Sequence, residues 1–116
     1  MSGKAPKRKG SGFEREIAKY LSDKLNINSY RTPMSGAIQN LRADLMGTPG
    51  LHVECKRTEK LQIYAALQQA EKARDENTLV TVVNRRNNMK TGESLVVMRL
   101  DEWLQLYASY LKEKGI

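Results

Sequence analysis

Hydrophobic residues recur every three or four positions in three segments of the chain. These segments are residues 13–25, 61–77 and 101–114. Because an α-helix has about 3.6 residues per turn, this spacing places the apolar side chains on one face and predicts three amphipathic helices. Asp101 is expected to cap the last helix, since its side chain can accept hydrogen bonds from free backbone N–H groups of the first turn. Gly115 is expected to end it.

Five shorter segments have the apolar and β-branched composition of β-strands. They are residues 28–33, 41–46, 51–57, 79–84 and 94–100. The run LVTVVN in the fourth segment is typical of a buried strand. The tetrapeptide GTPG joins the second segment to the third, and turns rich in Gly and Pro commonly connect antiparallel strands. A β-hairpin is therefore predicted there.

The predicted order of elements is αβββαββα, which is typical of an α/β protein with a central mixed sheet flanked by helices. A chain of 116 residues is long enough for one hydrophobic core but not for two. We therefore predict a single domain over residues 13–116, preceded by a basic flexible arm over residues 1–12.

Charge is distributed unevenly along the chain. The 20 basic and 13 acidic residues give a formal net charge of +7. Lys4, Lys7, Arg8 and Lys9 lie in the first ten positions, which contain no acid. A short basic segment with Gly and Ser can lie along a phosphate backbone and release counterions. Nucleic acid is thus the first partner to consider, with a solubilising tail or a targeting patch as the alternative.

Several classes of protein are excluded by the composition. No apolar run approaches the roughly 18 residues of a membrane span. The basic N-terminus is not followed by the apolar stretch of a secretory signal, so a cytoplasmic protein is expected. Cys55 is the only cysteine and His52 the only histidine, which excludes an internal disulfide and a zinc site. Any bound metal must be held by oxygen ligands.

Candidate catalytic residues are concentrated on the third predicted strand. Side chains alternate across a strand, so His52, Glu54 and Lys56 share one face while Cys55 points to the core. Pairing across the GTPG turn would bring Asp44 close to Glu54. Adjacent carboxylates repel each other unless a cation lies between them, and such ligands suit magnesium.

An E-x-K triplet alone is more often a solvated charge pair than a catalytic motif. Here the triplet follows an aspartate in the spacing D-x9-E-x-K, with a predicted helix before it and another after it. This combination favours an active site in which Lys56 orients or deprotonates the attacking water and offsets charge on the phosphate.

The pattern resembles that of the PD-(D/E)XK nuclease superfamily, in particular archaeal-type Holliday junction resolvases and resolvase-like nucleases of bacteriophages. The resemblance spans about residues 7–75 and rests on the segments KRKGSGFEREIAKYL, RTPMSGA, RADLMG, HVECKR and IYAALQQAEKA. Ala43 stands where the resolvase pattern has a proline before the acidic residue, a position that supplies no ligand.

The resemblance implies a restriction-endonuclease-like fold and a magnesium cofactor, with manganese as an alternative. It implies Glu14, Asp44 and Glu54 as metal-binding carboxylates and Lys56 as the catalytic lysine. It also implies Ser35 as a loop residue near the scissile phosphate.

Four residues have more than one open interpretation. Gln69 either supports the site from the second helix or is a solvated residue. Cys55 is a core residue whose backbone carbonyl could be a metal ligand. His52 is expected to be structural or a phosphate contact. Without the resemblance, Glu14 would be interpreted as a helix N-terminal carboxylate stabilised by the macrodipole.

Further residues are candidates for contacts with the DNA backbone, although each one could be ordinary surface. They are Lys7, Arg8, Lys9, Arg31, Ser35, Arg42, Arg57, Lys60, Arg85, Arg86 and Lys90. Trp103, Tyr107 and Tyr110 recur at helical spacing and are expected in the core or a subunit interface rather than in a base-stacking platform.

These features together predict a metal-dependent, structure-selective DNA endonuclease that resolves Holliday (four-way) junctions by paired phosphodiester hydrolysis. A four-way junction is two-fold symmetric, which a homodimer with two sites would match. A phage origin and action inside an infected bacterium are implied, without a membrane or a small-molecule substrate. The alternatives are a general nicking or trimming nuclease of the same fold and a non-catalytic nucleic-acid-binding module.

Overall fold

The computed structural model describes the backbone of residues 4–33 and 42–116 and the side chains of residues 11–33 and 42–116. In chain order, the elements are α1 (Lys4–Leu25), β1 (Tyr30–Arg31), β2 (Leu45–Met46), β3 (Leu51–Lys56), α2 (Ile63–Lys72), β4 (Leu79–Asn84), β5 (Leu95–Val97) and α3 (Leu100–Lys114). A short 3-10 turn, Thr91–Glu93, precedes β5. Ser35 and the side chains of Lys7, Arg8 and Lys9 lie outside the described residues.

Helix α1 begins earlier than its apolar pattern predicts. It starts at Lys4 rather than Phe13, because a Gly within a helix costs only about 1 kcal/mol and does not by itself end one. The predicted end is confirmed, since Asn26 follows the helix in a left-handed conformation with φ 55°. The division of the chain into an arm and a nuclease domain at residue 12 stays a prediction.

The larger sheet is mixed, as predicted. β4 lies in its centre, parallel to β3 and antiparallel to β5. Parallel neighbours need a crossover connection, and α2 provides it between β3 and β4. The register aligns Glu54 with Val82 and Lys56 with Asn84.

The predicted hairpin between the second and third strands is wrong. Among the described residues, β2 pairs antiparallel with β1 in a separate two-stranded sheet. A hydrogen bond from Asp44 N to Val53 O (2.9 Å) joins the segment before β2 to β3. Gly47 fixes the course of the turn, because its φ is +75° and a Cβ there would lie 2.1 Å from the carbonyl oxygen of Asn28.

Two apolar layers enclose the larger sheet. On one side, Phe13 and Ile17 of α1 pack with Val53 and Cys55 of β3, which confirms the predicted core position of Cys55. On the other side, Ala66, Leu67 and Ala70 of α2 pack with Val80 and Val82 of β4. His52 and Glu54 alternate with Val53 and Cys55 and are themselves buried.

Helix α3 follows β5 and differs from the prediction at its start. Arg99 occupies the cap position and Asp101 lies in the first turn, so the predicted Asp101 cap is wrong. There Asp101 still interacts favourably with the helix dipole. The predicted end is confirmed by Gly115, which adopts a left-handed conformation.

No residue of α3 is buried, so the interpretation of its aromatic residues as core is wrong. None of the helices in the described part of the chain is long and apolar enough to cross a membrane.

Candidate active site

Asp44, in the segment just before β2, is fixed by hydrogen bonds to the chain on both sides. Its carbonyl accepts a hydrogen bond from Thr32 N (2.9 Å), and its backbone N–H donates to Val53 O (2.9 Å). Its carboxylate oxygen Oδ2 accepts from the backbone N–H of Cys55 (2.8 Å). Because Cys55 lies between Glu54 and Lys56, these bonds hold the Asp44 carboxylate beside both catalytic candidates of β3.

The electrostatic state of Asp44 reflects this crowding. Burial raises the pKa of Asp44 from 3.8 to about 8, helped by the charge of Glu54 and, more weakly, of Glu14. The hydrogen bond from Cys55 acts in the opposite direction. Two of the three carboxylates that the sequence nominated, Glu14 and Glu54, therefore lie within electrostatic reach of the third, Asp44.

Glu54 is held by the residue two positions before it on the same strand. His52 Nε2 lies 3.0 Å from Glu54 Oε1, in hydrogen-bonding contact. The His52 side chain is only 1% exposed, and its backbone carbonyl accepts a hydrogen bond from Thr81 Oγ1 (3.0 Å). This burial favours the structural interpretation of His52 over a phosphate contact.

Lys56 is oriented by the helix that packs over the strand. Its Nζ donates to Gln69 Oε1 of α2 at 3.0 Å. Asn84 Nδ2 donates to the carbonyls of Lys56 (2.7 Å) and Thr58 (3.0 Å), which fixes the chain where β3 ends. The structure thus brings Gln69 to the site, and Asn84 is a supporting residue that the sequence analysis missed. Its only signal was its position at the end of the LVTVVN run.

Glu14 approaches the site from α1 and is paired with Arg31. Arg31 Nε lies 2.7 Å from Glu14 Oε1, and both side chains are mostly buried. Glu14 stands well inside α1, which begins at Lys4, so the helix-terminus interpretation of Glu14 does not apply. Arg31 was predicted to contact DNA, and its pairing with Glu14 was not foreseen.

The predicted DNA-contact residues fall into two groups. Arg57 and Arg85 are mostly buried and engaged: Arg57 donates to Glu59 and Asn87, and Arg85 pairs with Glu16. The side chains in the other group are exposed on the surface. They are Arg42, Lys60, Arg86 and Lys90.

Whether the candidate site can bind a metal depends on which of its side chains can act as ligands. In residues 4–33 and 42–116, no group of three or more His, Cys, Asp and Glu side chains is arranged to hold a metal ion. The pair of Asp44 and Glu54 nevertheless suits a hard cation, since a cation would relieve the repulsion that helps raise the pKa of Asp44.

Glu14 and Cys55 limit which further ligands are possible. The guanidinium of Arg31 occupies Glu14 in this arrangement. Burial, followed by the charges of Asp44 and Glu14, raises the pKa of the Cys55 thiol well above its usual range. A protonated thiol is a poor ligand, so Cys55 could contribute only its backbone carbonyl.

Comparison with known proteins identifies a similarity over most of this site. A family model described as phage putative PDDEXK endonuclease matches residues 5–75. This range includes Glu14, Asp44, Glu54 and Lys56, and the match confirms the predicted resemblance to the PD-(D/E)XK superfamily. Neither the curated proteins nor the solved structures give a match.

Proposed function

Because the chain belongs to the family of phage putative PDDEXK endonucleases, we propose that it is a divalent-metal-dependent DNA endonuclease with a restriction-endonuclease-like fold. The observation that supports this most directly is the Asp44 carboxyl group, whose pKa is raised to about 8 by burial and by Glu54. Buried adjacent carboxylates are unfavourable for a protein that only binds phosphate. They favour a catalytic protein over a non-catalytic binding module.

Asp44 and Glu54, with the backbone carbonyl of Cys55, are the proposed metal ligands, and magnesium or manganese is the proposed ion. When bound, such an ion supplies charge stabilisation at the phosphate and lowers the pKa of a bound water. Glu14 is the proposed third carboxylate. It becomes available as a ligand when Arg31 turns from Glu14 to a DNA phosphate, which is a competing anion for its guanidinium.

The remaining side chains of the site orient the catalytic groups and stabilise charge at the phosphate. His52 fixes one oxygen of Glu54 at 3.0 Å, which leaves the rest of the carboxylate for a ligand. Gln69 holds Lys56 Nζ at 3.0 Å, and the ammonium group then offsets negative charge on the scissile phosphate and orients the attacking water. Fixing these groups before DNA binds reduces the reorganisation needed at reaction.

We assign DNA binding to basic residues of the family-matched segment and to Ser35. Lys7, Arg8 and Lys9 on the basic segment and the exposed Arg42 are proposed to contact backbone phosphates. Ser35 is proposed to lie near the scissile phosphate. Such contacts position DNA without reading its sequence.

The substrate we propose is a four-way junction, cut in two opposed strands by a homodimer. The support is the resemblance of the RKGSGFERE and RTPMSGA segments to resolvases. A dimer with two separated sites would engage both halves of a two-fold symmetric junction. A linear duplex would fill only half of such a surface and would lose about half of the phosphate contacts.

A cleavage panel tests this function. Four-way, three-way, flap and linear duplex DNA of matched sequence are incubated with magnesium, with manganese or with a chelator. We expect metal-dependent cleavage in symmetric pairs, with preference for the four-way junction. Metal-dependent cleavage of all substrates alike would instead identify a general nicking or trimming nuclease, and cleavage that persists in chelator would refute the metal site.

A further inference from the structure

Helix α3 exposes its apolar side. Its large apolar side chains are between 43% and 68% exposed. They are Leu100, Trp103, Leu104, Leu106, Tyr107 and Tyr110. A surface helix normally turns such residues toward the core, and a contiguous exposed apolar stripe indicates an interaction site.

The polar side of α3 is the one that faces the protein. Glu102 Oε1 accepts a hydrogen bond from Val80 N of the central strand at 2.7 Å. Glu102 Oε2 lies 2.8 Å from Arg74 Nη2, and Arg99 makes two hydrogen bonds to Glu71 at 2.9 and 3.0 Å. The helix is therefore attached to the described part of the chain through ion pairs at its beginning.

The position of Glu102 defines where the apolar stripe points. At about 100° per residue, Glu102 and Tyr107 are roughly 140° apart around the helix axis. Leu100, Trp103 and Leu111 lie within about 40° of Tyr107 and Leu104 and Tyr110 within about 60°, whereas Leu106 lies about 40° from Glu102. Apart from Leu106, the stripe is thus centred on the side of the helix that points away from the sheet that Glu102 contacts.

The aromatic part of the stripe is ordered by its own contacts. The ring centroids of Trp103 and Tyr107 are 5.2 Å apart with planes at 13°, and those of Tyr107 and Tyr110 are 6.4 Å apart at 17°. Stacked rings lose little conformational freedom on binding, which favours association. Trp and Tyr are also the residues most enriched at the centres of protein interfaces.

We propose that the exposed face of α3 binds the α3 of a second copy of this chain in an antiparallel arrangement around a two-fold axis near Tyr107. Tyr107 is the midpoint of Leu100–Lys114. The first turn contains Asp101, besides the Glu102 that is bound to Arg74, and the last turn contains Lys112 and Lys114. Antiparallel pairing therefore brings each acidic end, and each helix dipole, against its opposite.

Charge also distinguishes a second copy from DNA as the partner. The helix contains three acidic residues and two basic ones between positions 100 and 114. A surface that binds a nucleic acid by stacking also needs excess positive charge to follow the backbone. α3 lacks that excess, so its aromatic stripe fits an apolar protein surface better than single-stranded DNA.

The size of the surface predicts the kind of dimer. A helix of 15 residues is about 22 Å long, and stable interfaces bury about 800 Å² on each partner. A single helix pair is at the lower end of this range, so association should depend on protein concentration. This inference rests on the proposed function at one point: cutting two opposed strands requires two copies of the active site.

The test compares two substitutions on one helix by sedimentation velocity across a range of protein concentrations, without DNA. The wild type should form dimers as concentration rises, and Tyr107→Lys should stay monomeric because it places like charges at the axis. Ser109→Lys adds the same charge on the opposite face and should dimerise like the wild type. A monomeric wild type, or a Tyr107→Lys protein that dimerises normally, would overturn the proposal.

Two additions keep the outcome interpretable. Should Tyr107→Lys fail to fold by circular dichroism, the milder Tyr107→Gln should still raise the dimer dissociation constant by about tenfold or more; an unchanged constant contradicts the interface. Metal-dependent nicking of linear DNA is measured in parallel. A dimer that cleaves no DNA would refute the proposed function alone, and an active monomer would refute this interface alone.

Discussion

Arg31 Nε lies 2.7 Å from Glu14 Oε1, so the guanidinium of β1 pairs with the α1 carboxylate that acts on Asp44. Glu14 also lies within electrostatic reach of Asp44, and the described residues contain no three-ligand group for a metal. A guanidinium and a divalent cation compete for the same oxygens. In the proposed site, access of a metal to Glu14 would therefore depend on where Arg31 is bound.

We expect Arg31→Gln to bind manganese several-fold more tightly than the wild type when no DNA is present. The substitution frees Glu14 and removes a positive charge near the site, and both effects favour a cation. Isothermal titration measures the affinity. Arg86→Gln removes an exposed arginine elsewhere and should leave it unchanged; equal affinity in all three proteins would show that Arg31 does not compete with metal.

Asp44→Asn and Glu54→Gln should each reduce cleavage by at least about a hundredfold, because each removes a ligand of the ion that stabilises charge in the transition state. DNA binding should be unchanged or tighter, since a negative charge near phosphate is lost. Single-turnover cleavage and fluorescence anisotropy separate the two effects. The matched control is Asp23→Asn, which removes an exposed carboxylate paired with Lys19. Near-normal turnover in both Asp44→Asn and Glu54→Gln would rule out this active site.

The pKa of Asp44 predicts a pH dependence of stability in the metal-free protein. Because folding raises this pKa from 3.8 to about 8, the folded state binds the proton more tightly than the unfolded state does. The contribution of Asp44 is thus fully present below about pH 4 and is lost as the pH rises to about 8. Urea denaturation of the wild type and Asp44→Asn in chelator measures the difference.

Asp44→Asn should become progressively more stable than the wild type across this pH interval, because asparagine has no charge to bury. Added magnesium should reduce the difference at the upper end, since it binds the ionised carboxylate of the wild type. A difference in unfolding free energy that does not vary with pH would contradict the assigned environment of Asp44.

Deleting residues 1–9 should weaken binding to all DNA shapes alike and make the salt dependence shallower. Four cations are removed, and each phosphate contact contributes about 0.9 to the slope of log affinity against log salt. The slope should therefore fall by up to about 3.6. Binding of linear and four-way DNA across a salt series measures it, and an unchanged slope would show that this segment does not touch DNA.

The hydrophobic pattern of the sequence was sufficient to predict a strand that is apolar along its whole length. β4 was predicted as residues 79–84 and is observed as Leu79–Asn84, because β-branched residues favour strands and an apolar run suits a strand that is covered on both faces. The position of Cys55 in the core followed from strand alternation alone. The same alternation grouped His52, Glu54 and Lys56 on the face that packs toward α2.

Features that depend on long-range partners could not be read from local pattern. β2 pairs with β1 rather than β3, a choice set by tertiary packing and not by the GTPG turn between β2 and β3. Arg57 resembles any exposed cation in the sequence, yet its side chain is 9% exposed and bonded to residues some 30 positions later. The outward direction of α3 is likewise set by Glu102, which an apolar periodicity cannot indicate.

The central position of β4 has a consequence for how the protein can be divided. The segment that matches the nuclease family ends at residue 75, before β4 begins, yet β4 supplies the parallel neighbour of β3. An expression fragment cut at the family boundary would contain every proposed catalytic group while leaving the strand that bears two of them as an unprotected sheet edge. We therefore expect such a fragment to be prone to edge-to-edge aggregation.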